Sequence, residues 1–133
     1  MDLDQLKKLS GLKFQLSVRD LSSILARENE LRTELDRLRS LARETLTDSP
    51  EHMQARAIGA DVIWMKWLGQ TQRQLNVILA QVLAQKEVLM ERHRHAHGRK
   101  AAAEKLAHDA NKAKARTNRE RIMQETIDHS FFR

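Results

Sequence analysis

Cysteine and tyrosine are absent from this 133-residue chain, proline occurs once, glycine four times, and aromatic side chains make up 4% of it. Without Cys there are no disulfides and no thiolate metal sites, and a reducing compartment is allowed. With so few turn formers the chain cannot fold back on itself often. Aromatics this scarce also exclude the aromatic-rich core usual in a globular domain of similar size. No apolar run approaches the roughly 18 residues that span a bilayer; Val62-Ile63-Trp64-Met65 is stopped by Lys66. The chain opens Met-Asp-Leu-Asp-Gln, acidic where a secretory signal is basic, so the expected location is the cytoplasm.

What is present is Leu, Ala, Arg, Lys, Glu and Gln, the good helix formers. That mixture with helical periodicity marks long helices or coiled coil. The net charge of +6 is uneven. Residues 1–50 carry nine Lys/Arg and nine Asp/Glu, residues 51–90 four and three, and residues 91–133 eleven and six. A basic last third suits an acidic partner, whether protein, membrane surface or nucleic acid, or else is a plain solvated face.

One strong punctuation mark interrupts the chain, Thr47-Asp48-Ser49-Pro50-Glu51. Asp48 or Ser49 suits a helix N-cap, Pro50 the first helical position, and Glu51 the positive end of the helix dipole. Before it, Leu21, Ile24, Leu31, Leu35, Leu38 and Ala42 form a 3-4 seam that Glu28 breaks, with Phe14 one heptad earlier. Glu28 with Arg32, and Arg32 with Asp36, are spaced to pair across one turn. Ser10-Gly11 is a weak spot where the helix bends or first begins. After the punctuation, Leu68, Leu75, Val82, Leu89, Ala96, Ala103 and Ala110 recur every seven residues, as in a coiled coil. The companion positions Ile58, Met65, Gln72 and Leu79 give way to Lys86, His93 and Lys100. The expected fold is therefore all-α, an elongated antiparallel two-helix coiled-coil hairpin over residues 1–133. Its first helix spans about 2–46, the turn 47–50, and a longer second helix about 51–126.

A turn near residue 49 would set residue i roughly opposite residue 98 minus i, which leaves 96–133 as a basic overhang beyond the reach of the first helix. Its small Ala stripe suits a partner bound close in. Gly59, Gly69 and Gly98 fall inside the second helix; Gly98 is a candidate hinge, though tolerance of an isolated helical Gly is the plainer reading.

Signals of catalysis are lacking: there is no phosphate loop, nucleophile elbow or zinc-protease motif, and no cofactor is implied. His93 and His97 lie one turn apart, but tight zinc sites need three or four ligands, and Arg92, Arg94, Arg99 and Lys100 repel cations. Candidate binding residues fall in two places. Trp64 and Trp67 flank the seam, where they either wrap the edge of the first helix or form a partner-binding patch with Leu68; Leu75 and Leu79 continue that surface. Arg92, Arg94, Arg99, Lys100 and Lys105 suit an acidic partner. Nucleic acid ranks below protein, because residues 91–121 hold no aromatic for base stacking.

Two stretches resemble a known family. Leu12-Lys13-Phe14, then Leu16, Val18-Arg19 and Leu21, is similar to the start of FliJ, the flagellar export stalk family, and of its injectisome counterpart YscO. Gly59 through Trp67, leading into Gln72, Gln74 and Leu75, resembles the aromatic-bearing start of that family's second helix. The resemblance implies a non-enzymatic, bacterial export accessory protein. Its paired terminal ends, residues 2–21 with roughly 80–126, would enter an export ATPase ring. The surface from Trp64 to Leu79 would meet the export gate, and some relatives escort export chaperones. Two other functions fit the bare pattern: a scaffold that homodimerises through an open seam, and a nonspecific nucleic-acid binder.

Overall fold

A computed structural model describes residues 2–47 and 50–132. The fold is all-α, a helical hairpin with a longer second arm, built from α1 (Leu3–Thr45), a short α2 (Pro50–Ala57) and α3 (Ala60–Phe131). α1 begins at once and runs through Ser10 and Gly11. Asp2 caps it: its Oδ1 accepts the Gln5 N–H at 2.9 Å while Gln5 Oε1 accepts the Asp2 N–H at 3.4 Å. This reciprocal box satisfies donors that the first helical turn leaves unpaired.

Pro50 does open a helix, but that helix ends at Ala57. The Asp48 and Ser49 capping positions lie outside the described residues. Gly59 follows with φ of 75°, a left-handed conformation open to Gly at little strain, and α3 starts one residue later. The expected single helix from residue 51 is thus two helices, and Gly59 is the reason. Asp61 lies in the first turn of α3, where its charge suits the dipole.

Because α2 belongs to the connection, the register is displaced. A turn at 49 would oppose Glu28 with residue 70, but Glu28 pairs with Lys86. It would oppose Thr45 with residue 53, but Thr45 meets Trp64. The chain packs as two units.

In the turn unit, Arg19–Glu91, Leu31, Leu35, Leu79 and Val82 form the core, with Ile24, Leu75 and Leu83 against it. Leu38 and Leu68 are its most fully buried large side chains, each 1% exposed. Glu28 and Lys86, the polar interruptions of the two seams, meet each other: both Glu28 carboxylate oxygens accept from Lys86 Nζ at 3.2 Å. Glu28 also holds Arg32, whereas Asp36 pairs with Arg39 and not with Arg32.

In the terminal unit, Met1–Val18 with Arg92–Arg133, Ala103 and Ala107 are buried and Ala110 is half-buried. Ser10 of α1 is buried too. An open groove lined by Asp4, Lys7, Lys8, Gly11, Leu12, Gln15, Lys100 and Glu104 shows that α1 runs alongside this stretch of α3. The expected overhang from residue 96 is therefore covered as far as about Ala110. The Ala stripe is covered by the first turns of the same chain, where Ser10 is buried as well. Residues 111–132 are exposed throughout. α3 passes Gly98 without a break, so no hinge is built there.

Candidate partner-binding surfaces

In the turn unit the indoles of Trp64 and Trp67 stack, with ring centroids 5.2 Å apart and planes 17° from parallel. Trp64 Nε1 donates to Thr45 Oγ1 at 2.9 Å, and Thr45 Oγ1 donates to the Leu41 carbonyl at 2.9 Å. One edge of the pair is thereby fixed to the end of α1, while Trp64 and Trp67 remain 40% and 48% exposed. The tryptophans lie against the end of α1 and still present ring surface.

Leu68 takes no part in that surface. With Leu79 it is buried, and Leu75 is half-buried against the core, so these three belong to the seam. The reason is the period of the helix: Leu68, Leu75 and Leu79 face α1, and the outward surface falls on Ile63, one turn before Trp67 and 73% exposed.

In the terminal unit the seam is polar and aromatic around Phe14. Its ring lies 5.3 Å from the His93 ring and 5.8 Å from the His97 ring, with Lys100 Nζ 4.6 Å from its centroid. Ser17 Oγ donates to the Phe14 carbonyl at 2.6 Å and sits 3.1 Å from His93 Nδ1. Lys100 is thus a seam residue, half-buried, with Glu104 at 3.8 Å. Arg92, Arg94, Arg99 and Lys105 are exposed, where an acidic partner could reach them. Among the described residues no three His, Cys, Asp or Glu side chains come together to hold a metal ion.

One surface escaped the sequence reading. Leu9, Leu12 and Leu16 of α1 are 40%, 59% and 55% exposed. Their 3-4 spacing repeats that of a seam, about a third of a turn round the helix from the covered Ser10, Phe14 and Ser17. The signal was present in the 3-4 spacing of these leucines. The charge also divides sharply. The terminal unit carries fourteen Lys/Arg and seven Asp/Glu, and the turn unit ten and eleven. All of the basic excess lies in the terminal unit.

No family model, no curated protein and no solved structure matches the chain. Among the described residues no helix is long and apolar enough to cross a membrane.

Proposed function

We propose that the chain is a non-catalytic coiled-coil accessory protein of a bacterial flagellar or type III export apparatus, similar in role to FliJ and YscO and working in the cytoplasm. In this reading the terminal unit engages the export ATPase ring, and the Ile63–Trp67 surface of the turn unit meets the export gate or an export chaperone. The observation that carries it is the second apolar seam of α1. Leu9, Leu12 and Leu16 stay exposed at coiled-coil spacing although the adjoining face already packs on α3. A helix with two such seams is built to take a further helix or groove, and the surrounding basic charge favours an acidic one.

The test is capture of the candidate export ATPase by the full chain. Retention of the ATPase, and its loss in L12E/L16E with helicity unchanged, is the expected result. No retention, or equal retention by that variant, counts against the reading. The same seam also suits a second copy of the chain, the homodimer reading. In that case sedimentation of the protein alone gives a dimer that L12E/L16E converts to monomer.

A further inference from the structure

Beyond Ala110 nothing described covers α3, yet its side chains are ordered by type along one line. At ~100° per residue, Lys105, Lys112, Arg116, Arg119, Met123 and Ile127 fall within about 80° of arc, opposite the buried Ala103 and Ala107. Phe131 follows one turn on, so the line covers about 39 Å. Its first part is cationic: Lys105, Lys112 and Arg116 form no ion pair with any described residue, and Arg119 Nε donates to the Ala115 carbonyl. Asp109 falls at the edge of the same arc, in line with Ile127 and 3.7 Å from His108 Nδ1, and Glu120 lies about 20° beyond it, so the row keeps a net positive charge. Its second part is apolar: Met123 is 64%, Ile127 41% and Phe131 81% exposed.

We infer that this outward face of α3 lies on an anionic membrane surface, with the basic row against lipid headgroups and Met123, Ile127 and Phe131 entering the acyl boundary. Charge complementarity selects an anionic surface. The apolar continuation selects one with a hydrocarbon interior, since a basic row and an apolar end are the two signals that together anchor a helix in the interface. A phosphate backbone has no use for the apolar end, and a straight row of this length suits a flat surface better than a duplex that curves away. This membrane contact does not depend on the export role, because it uses α3 alone and not the leucine seam of α1.

Co-sedimentation of the full chain with vesicles tests it, comparing pure phosphatidylcholine with phosphatidylcholine containing phosphatidylglycerol, at low and high salt. Binding is expected to the anionic vesicles only and to weaken with salt. K105A/K112A/R116A should bind about a hundredfold more weakly, at roughly fivefold per cation removed. M123S/I127S, which keeps every charge, should bind at least about tenfold more weakly. Circular dichroism matching the parent shows that both variants are folded. Equal binding to neutral vesicles, no binding, or unchanged affinity in either variant overturns the inference. So does tighter binding to a DNA duplex or to polyglutamate than to the anionic vesicles, which would make the face a site for nucleic acid or for acidic protein.

Discussion

Glu28 and Lys86 show how single residues settle this hairpin. Each interrupts an apolar seam, and the two interruptions are each other's solution. Glu28 is 12% exposed and Lys86 26%, so neither charge is fully solvated, and pairing offsets that loss. The hydrogen bond from Lys86 holds the Glu28 carboxyl below its ordinary value; burial pulls the other way, and Arg32 adds to the lowering. The unfolded value is about 4.3. The contribution of this group is therefore complete above that value and is lost as pH falls through the lower folded one. E28Q should flatten the acid side of the stability profile. Parent and variant losing stability in parallel from about pH 5 to pH 2 would contradict this. Replacing only one partner should destabilise the chain, whereas E28L/K86L should recover stability and lose uniqueness of register, visible as broadened amide resonances.

Two glycines test the backbone account with opposite signs. A Cβ at either Gly59 or Gly98 meets nothing within 4 Å, so only conformation differs. Gly59 sits at φ of 75°, and G59A should cost about 1–2 kcal/mol. Gly98 is helical, and G98A should raise stability by about 0.5–1 kcal/mol. Thermal melts of both variants settle the point; two shifts of the same sign would contradict the helix break at Gly59.

At the scale of elements, the seams were readable because burial follows period. The 3-4 spacing of Leu31, Leu35 and Leu38 and the heptad from Leu68 to Ala110 name positions that the fold covers. Register was not readable, because it depends on where the connection ends. Gly59 looks like any helical glycine until its φ is known. The same shift hid the partner of the Ala stripe and moved Leu68, Leu75 and Leu79 from candidate surface to seam. L38A, at a site 1% exposed, should cost about 2–5 kcal/mol in denaturant unfolding. Deleting residues 111–133 should leave the melting temperature nearly unchanged, because residues 111–132 bury no side chain; a large drop would mean that this segment packs on something.

At the scale of the whole molecule, the proposal of a binding protein rests on the paired helices and the basic last third, and the proposed export role on the two stretches that resemble FliJ and YscO. Burial adds what spacing could not show, that Leu9, Leu12 and Leu16 remain exposed in the unit holding the entire basic excess. The most direct test is sedimentation velocity of the full chain, alone and mixed with the candidate export ATPase. The account predicts a faster-sedimenting complex containing both proteins, with more of the ATPase assembled into rings, and its loss in L12E/L16E. Independent sedimentation of the two proteins, with ring assembly unchanged, would contradict it.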